Sequence, residues 1–354
     1  MIGSRLKRAR EAFGLSLREL EADIDGQVSA QAIGKYERDE MMPGSKALMA
    51  LAKALEVSPE YLMSTRQIEL AGVDFRKAPH ASSKEEKAIE AAVLDQVERY
   101  LELEELFPRS MAQWSIPTRL EHFSVRNADD AENFANQLRE EWVLGIDAIP
   151  SMAELLEEKG VKVIALDLSV NVSGSKAFVR RPNEGDAPVI VVNSNHNGER
   201  QRFTLAHELA HLALRCVDGV DEEKMADRFA GAFLMAREML LRLVGENRTS
   251  ISLGELAELK KIFKVSIASI AVRCHQVGAL TKAAYGRIWG QIKALGWNSQ
   301  NSNEPNKLEP EVPQRMERLC LRAVSEGAIS ISKAAELLRK SVFDFEKLLL
   351  GHGA

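Results

Sequence analysis

The amino-acid sequence predicts an α+β fold that is predominantly helical, with an all-α N-terminal bundle, a central domain with a small β-sheet and a helical C-terminal domain. Apolar residues recur with helical spacing along most of the 354 residues. The clearest strands cover only 160–166 and 188–193, both short, β-branched and bounded by Gly, Pro or Asn, with 177–180 as a candidate third. A composition of 45% hydrophobic and 28% charged residues is typical of several packed domains.

Hydropathy and cysteine content predict the cellular location of the protein, and its charge bears on its affinity for nucleic acid. No apolar run approaches the ~18 residues that a membrane span needs, and the polar residues 1–10 do not form a secretory signal. The three cysteines, Cys216, Cys274 and Cys320, are widely separated and odd in number, which favours reduced thiols. We expect a cytoplasmic protein without a membrane partner. The formal net charge of -5 gives no general affinity for nucleic acid, so DNA binding requires a local surface.

The succession of helical, polar and charged segments predicts four regions. These are an N-terminal helical domain at 1–64, a linker with a connector helix at 65–126, a central domain at 127–250 and a helical C-terminal domain of unknown role at 251–354. The charged helical pattern at 84–107 predicts a solvated connector. The polar, proline-containing stretch 298–313 predicts a flexible connector.

The central domain contains a spacing that can bind a metal ion. His207 and His211 lie four residues apart on one predicted helical face, where both imidazoles can reach the same zinc ion. Glu208 lies between them and can act as the general base on a metal-bound water. The alternatives are a helix that carries this pattern by chance and a metal site without catalysis.

A zinc hydrolase needs a third protein ligand and an open position for water. The segment after the first helix reads as a turn followed by a second helix. An antiparallel hairpin centred near Val217 brings Glu223 or its neighbour opposite His211, and we prefer Glu223. Asp227 lies four residues further along the same face, where it can hydrogen-bond the outer ring nitrogen of a ligand histidine. Cys216 lies close enough to be considered as a ligand, but a role as a buried structural thiol is favoured for it.

The N-terminal region reads as short helices separated by tight turns. Ser16 and Ser29 are placed to cap the second and third of these helices. Two short helices joined by a turn, the second beginning with small residues, have the geometry that places a recognition helix in the major groove of DNA.

This region resembles the Cro- and phage-repressor-like (XRE-type) helix-turn-helix family. The resemblance rests on Leu15, Ser16, Leu20, the run 28–37, Pro43, Leu51 and Ala52. It implies double-stranded DNA as a partner, with Gln31 and Lys35 facing bases or phosphates and with Ser29 and Ser45 as backbone contacts.

Two features of the N-terminal region depart from that family. Leu17 stands where the family often has a phosphate-contacting Gln, and the turn between Leu20 and Ser29 is about two residues longer. Residues 1–64 hold nine Lys and Arg against ten Asp and Glu, a balance of about -1. DNA binding would therefore be weak unless two copies act together, which makes a homodimer a possible state.

The central domain resembles the ImmA/IrrE family of bacterial zinc metallopeptidases. The resemblance rests on 189–193, 202–211 and 223–230. It implies a zincin-like fold, Zn²⁺ as the cofactor, His207, His211 and Glu223 as its ligands, and Glu208 as the catalytic base. It also implies a protein substrate, typically a repressor of stress, mobile-element or phage-defence genes. Ala236 follows Leu-Met where the family often has Pro, which we expect to alter a helix end.

A small sheet directly before the His207 helix predicts a shelf for an extended peptide. The peptide would add as a strand beside 189–192.

Two classes of function follow from these patterns. The first is a DNA-binding zinc metalloendopeptidase that cleaves a partner protein, a repressor, in a bacterial switch. The second is a transcriptional regulator or antitoxin-like protein whose metal-bearing domain senses a partner without cutting it. Glu208 and Asp227 favour the first class, since metal binding alone does not need a carboxylate beside the open position. A divalent metal other than zinc remains open, because the affinity order does not fix metal identity.

Overall fold

The computed structural model describes residues 2–63, 68–72, 83–107, 113–169, 172–181, 185–299 and 303–351. The helices in these ranges are α1 (Ile2–Ala12), α2 (Leu17–Asp23), α3 (Ala30–Glu37), α4 (Ser45–Ala54), α5 (Pro59–Met63), α6 (Ser83–Glu105), α7 (Ala128–Glu141), α8 (Met152–Glu158), α9 (Gly198–Ala213), α10 (Glu222–Leu234), α11 (Arg237–Val244), α12 (Leu253–Phe263), α13 (Ile267–Gln276), α14 (Lys282–Ala294), α15 (Arg315–Ser325), α16 (Ile331–Leu338) and α17 (Val342–Leu349). The strands are β1 (Glu69–Ala71), β2 (Ser124–Val125), β3 (Lys162–Leu166), β4 (Gly174–Arg180), β5 (Ala187–Asn193) and β6 (Arg215–Cys216). The predicted α+β, mostly helical class is confirmed.

The chain divides into two compact units. The first unit comprises Met1–Ala112, Ala177–Ala187 and Gln314–Ala354. The second comprises Gln113–Lys176 and Pro188–Pro313. The four regions expected from the sequence stay a prediction, but this division shows that the first unit is built from segments far apart in the chain.

Helices α1 to α5 of the first unit form a bundle around an apolar core. Leu6, Leu20, Ile33 and Leu51 are fully buried in it. The Ser16 hydroxyl caps α2 by accepting the Glu19 amide N–H, and the Glu19 carboxylate accepts the Ser16 amide N–H in return. Ser29 caps α3, and both serine caps are as the sequence predicts. Helices α2 and α3 are joined by residues 24–29, so the turn is long for two helices of this motif.

Helix α6 is packed on both sides within the first unit, so the prediction of a solvated connector is wrong. The side chains of Val93 and Val97 are fully buried, and Glu98 forms ion pairs with Arg5 and Arg8 of α1. The far end of α6 contributes apolar side chains to the core of the helices α15 to α17. That core includes Tyr100, Leu103, Phe107, Leu319, Cys320, Ala334, Leu337 and Phe345. The many charges of α6 concealed its apolar stripes.

The second unit contains a sheet in which β5 lies between β3 and β4. Strands β3 and β5 are parallel, with Ile164 opposite Val191. Every residue of β5 is buried. The predicted strands 160–166, 177–180 and 188–193 are therefore confirmed within a few residues. The predicted peptide shelf beside 189–192 is wrong, because β5 has a strand on each edge. In the first unit β1 pairs antiparallel with the second half of β4, with Leu70 opposite Val179.

The described part of 298–313 is tied to the second unit and does not behave as the predicted flexible connector. The Leu308 carbonyl accepts the Gly198 amide N–H at 3.1 Å, at the start of α9. The Glu311 carboxylate accepts the N–H groups of Met152 at 3.2 Å and Ala153 at 3.0 Å, in the first turn of α8. Glu311 also pairs with Arg202 of α9. These polar contacts join segments distant in sequence, which a local pattern does not reveal.

In the part of the chain that the structure describes, no helix is both long enough and apolar enough to cross a membrane.

Candidate metal centre and candidate DNA-binding surface

Helix α9 presents both histidines of the predicted metal site on one face. It begins where the Asn197 side chain accepts the Arg200 amide N–H at 3.1 Å. The opposite face is apolar and anchors the helix in the unit. Its fully or nearly fully buried residues include Leu205, Ala206, Leu209, Ala210 and Leu212. His207 and His211 are one helical turn apart and half-buried, so their ring edges reach a common point outside the helix.

Helix α10 brings the third donor to the same point. The Asp221 side chain caps it by accepting the Lys224 amide N–H at 3.2 Å, which places Glu223 in the first turn. The helix is fixed by its apolar face, where the ring of Phe229 stacks on Phe233 at 5.3 Å between centroids. Phe229 also lies 6.1 Å from Phe134 of α7. The hairpin of α9 and α10 thus brings Glu223 to the histidines, as the sequence predicts.

Three donor atoms converge between α9 and α10. Nε2 of His207 lies 3.1 Å from Nε2 of His211 and 3.3 Å from Oε2 of Glu223. Nε2 of His211 lies 3.5 Å from Oε1 of Glu223. Ligands about 2.0–2.1 Å from a tetrahedral zinc ion are separated by about 3.3 Å from one another. The donor set and its spacing therefore fit a tetrahedral divalent ion with a fourth position open.

Asp227 orients one of the two imidazoles. Its Oδ1 lies 2.9 Å from Nδ1 of His207, which assigns the proton to Nδ1 and leaves the lone pair of Nε2 for the cluster. The pKa of His207 is raised above its ordinary value. Burial alone would lower this pKa, but the hydrogen bond to Asp227 and the negative charges of Glu208, Asp227 and Glu223 outweigh the effect of burial. This excess of negative charge also favours a bound cation.

Glu208 is half-buried and lies one residue after His207 on α9. Its charge is close enough to contribute to the raised pKa of His207. Glu208 is not part of the His207, His211 and Glu223 donor set.

Three further contacts hold the site and have no sequence signal. Nζ of Lys176, on β4, donates to the backbone carbonyl of His211 at 2.8 Å. On α10, Arg228 pairs with Glu132 of α7 at 2.5 Å, and Arg273 of α13 binds the same carboxylate with two bonds of 2.9 and 3.0 Å. These contacts fix the two helices that carry the donors, and they join residues more than 30 positions apart.

The three cysteines lie in the described part of the chain and are free thiols. Burial raises the pKa of Cys274 and of Cys320 to about 12. Cys216 is part of β6 and does not belong to the donor cluster. All three thiols are therefore held in the protonated form around neutral pH, since burial also raises the pKa of Cys216.

The four residues expected to contact DNA are exposed in the N-terminal bundle. Gln31 and Lys35 lie one turn apart on the outer face of α3. Ser29 precedes them as the cap of α3, and its hydroxyl accepts the Ala32 amide N–H at 3.3 Å. Ser45 is the first residue of α4. All four side chains are exposed, and the Ser29 hydroxyl already has an intrahelical partner.

The fold and these two sites define a class, a helix-turn-helix protein that also carries a metallopeptidase-type domain. Residues 156–275 match the Peptidase M78 family, described as the IrrE N-terminal-like domain. Residues 6–62 match the helix-turn-helix family. The chain is a fusion of these two domains, which confirms both resemblances noted in the sequence. No curated protein matches the chain.

Proposed function

We propose that this protein is a DNA-binding zinc metalloendopeptidase that cleaves a partner protein, a transcriptional repressor, in a bacterial stress, mobile-element or defence switch. The observation that carries the proposal is the convergence of His207, His211 and Glu223, with donor atoms 3.1 to 3.5 Å apart. The match of 156–275 to a peptidase family supports the same chemistry.

In this proposal each polar residue of the site has one task. His207, His211 and Glu223 hold the metal, and Asp227 keeps His207 in the tautomer that can bind it. A zinc ion held by these three residues would supply a Lewis acid that polarises the scissile carbonyl and lowers the pKa of a water at the open position toward neutrality. Glu208 accepts the proton of the attacking water and delivers it to the departing amine.

The test compares the wild type with Glu208→Gln and Glu223→Gln, and with Glu222→Gln as a matched control. Glu222 is the exposed neighbour of Glu223 in the first turn of α10. Bound metal is measured by elemental analysis, and cutting of repressors encoded beside the gene by mass spectrometry. We expect Glu208→Gln to bind metal without cutting, Glu223→Gln to lose metal, and Glu222→Gln to match the wild type.

A second candidate function is a transcriptional regulator whose metal-bearing domain senses a partner without proteolysis. The exposed α3 face with Gln31 and Lys35 favours it, since this face is accessible to DNA. Metal in the wild type with no cutting under any condition, together with tight binding to DNA upstream of the gene, would favour this function over the peptidase.

A further inference from the structure

A cavity opens in the peptidase-family unit between the end of α7 and the start of α11. Its volume is about 500 Å³, within the roughly 300–1,000 Å³ of small-molecule sites. Its walls include Asn136 and Arg139 of α7, Ile146 of the loop after α7, and Arg237 and Leu241 of α11. None of its lining residues is a donor of the candidate metal centre, so the two sites are separate.

One buried guanidinium in the cavity wall has no carboxylate partner. Arg139 is 3% exposed, and it donates to the backbone carbonyls of Gly145, Asp147 and Phe233. These carbonyls satisfy its N–H groups, but no described carboxylate forms an ion pair with it, and a buried charge without a counterion is costly. Burial lowers the pKa of Arg139 to about 10, and the charge of the exposed Asp147 only partly opposes this effect.

The buried carboxylate of α7, that of Glu132, already serves two other cations. It binds Arg273 with two hydrogen bonds and pairs with Arg228 at 2.5 Å. A second carboxylate, that of Asp129, lies 4.0 Å from Arg228 and is exposed. Burial lowers the pKa of Arg273 further than Glu132 raises it, and the charge of Arg237 adds to the lowering. Glu132 therefore does not compensate the positive charge at the cavity.

Two side chains of the cavity wall have hydrogen-bond donors available for an occupant. Arg237 is exposed at the start of α11, and Asn136 is half-buried on α7. Neither side chain forms a hydrogen bond or an ion pair with another described residue. Ala236, which also lines the cavity, caps α11 without a side-chain hydrogen bond, so the first turn of this helix adds backbone N–H donors. These donors favour an occupant that accepts hydrogen bonds.

Two acidic residues also line the cavity, but both are exposed and have other partners. Glu238 accepts a hydrogen bond from Arg242, one turn further along α11, at 3.0 Å, and its side chain is 67% exposed. The Glu140 side chain is likewise 67% exposed and lies 3.9 Å from Arg119. Water screens such exposed charges strongly, whereas the charge of the buried Arg139 is screened much less. The cavity therefore favours negative charge in spite of its acidic rim.

The remaining wall indicates that the occupant has an apolar part. Ile146 and Leu241 are half-buried, and Ala236 is buried. The volume of about 500 Å³ is far larger than the ~30 Å³ of one water molecule. An organic anion covers this apolar wall, which a bare inorganic ion leaves exposed to water.

We propose that this cavity binds a small organic anion, a carboxylate or a phosphate monoester, with its oxyanion at Arg237 and Asn136 and its apolar body against Ile146 and Leu241. The charge of Arg139 attracts the anion from behind the wall without a direct contact. This binding site does not depend on the peptidase function, since none of its residues belongs to the metal centre.

The test is calorimetric titration of the full chain with phenyl phosphate and with benzoate, which distinguish the two kinds of oxyanion. Benzamide, which has the ring without the charge, and inorganic phosphate, which has the charge without the ring, are the control ligands. The cavity variants are Arg237→Gln and Ile146→Glu. Arg242→Gln and Val143→Glu are their matched controls, because they make the same changes of charge at exposed positions outside the cavity lining.

We expect saturable one-to-one binding of at least one organic anion, with a dissociation constant raised at least tenfold by each cavity variant and less than twofold by each matched control. Inorganic phosphate should bind at least threefold more weakly than that anion, and benzamide should not bind. Arg237→Gln, at an exposed position, decides the matter if Ile146→Glu does not fold.

The proposal is overturned if neither organic anion binds with a dissociation constant below about 10 mM. Unchanged affinity in the cavity variants overturns it as well, because the anion would then bind elsewhere, such as at the metal centre. Binding of benzamide as tight as that of benzoate would remove the role of the charge. Binding of inorganic phosphate as tight as that of phenyl phosphate would remove the role of the apolar wall.

Discussion

Nδ1 of His207 and Oδ1 of Asp227 lie 2.9 Å apart, so the aspartate on α10 determines which nitrogen of the imidazole on α9 faces the donor cluster. The bond also connects the two helices that carry the donors. Asp227 is exposed on its outer side, so its role is not one of core packing.

Replacing Asp227 with Asn is expected to lower the metal affinity by about 10- to 100-fold, because the neutral amide holds the His207 tautomer less firmly and removes a nearby negative charge. Competition with a chromophoric chelator measures the affinity. Asp218→Asn, an exposed position in the turn before α10, is the control. Equal affinity of the Asp227 variant and the wild type would remove the orienting role.

Replacing Glu132 with Gln is expected to destabilise the peptidase-family unit by roughly 3–5 kcal/mol, because Arg273 and Arg228 lose the carboxylate that both bind. Arg273 is 1% exposed and cannot turn to solvent. The shift of the urea unfolding midpoint measures the loss. Glu238→Gln, which changes an exposed ion pair with Arg242, should shift it by less than about 1 kcal/mol. A similar shift in both variants would contradict the argument.

Glu311 is expected to make stability depend on pH in the acid range. Burial raises the pKa of Glu311, but the charge of Arg202 and hydrogen bonds from Ala153, Ser151 and Met152 outweigh it, and the pKa is lowered from 4.5. A lowered carboxyl pKa stabilises the folded state fully above pH 4.5, and this stabilisation is lost as the pH falls through the folded-state value.

The difference in unfolding free energy between wild type and Glu311→Gln should therefore stay constant from pH 6 to 4.5 and shrink as the pH is lowered further, through the folded-state value. Denaturant unfolding at several pH values measures it. Glu309→Gln, an exposed neighbour, should show no such trend. A difference that stays constant below pH 4.5 as well would mean that the Glu311 charge does not stabilise the fold.

Replacing Lys35 with Ala is expected to weaken DNA binding and to reduce the slope of log affinity against log salt by about 1, as expected when one phosphate contact is lost. Fluorescence anisotropy with DNA from upstream of the gene, at several salt concentrations, measures both. Lys53→Ala, at the exposed far end of α4, is the control. An unchanged slope for the Lys35 variant would show that this side chain does not contact a phosphate.

The sequence revealed the parts of the site that depend on local spacing. His207, Glu208 and His211 follow from helical periodicity, and Glu223 from the geometry of a helical hairpin. Lys176 and Glu132 could not be found in this way, because each reaches the site from another element through a contact that only the tertiary fold creates.

The same distinction applies to the fold. The β-branched strands β3 and β5 and the serine caps of α2 and α3 are readable from short windows. The packing of α6 could not be predicted from short windows, because its many charges conceal two apolar stripes that face partners far apart in the chain. Glu311 likewise looks like an ordinary residue of a polar linker until its partner Arg202 is known.

The packing of α6 against both ends of the chain has a consequence for biosynthesis. Arg99 of α6 donates to the Leu337 carbonyl, and Arg339 lies over the ring of Phe13 in α1, at 5.1 Å from its centroid. The ribosome makes these partners more than 200 residues apart. The N-terminal bundle therefore emerges first but leaves an apolar flank of α6 uncovered until α15 to α17 follow, and the peptidase-family unit is translated entirely within that interval.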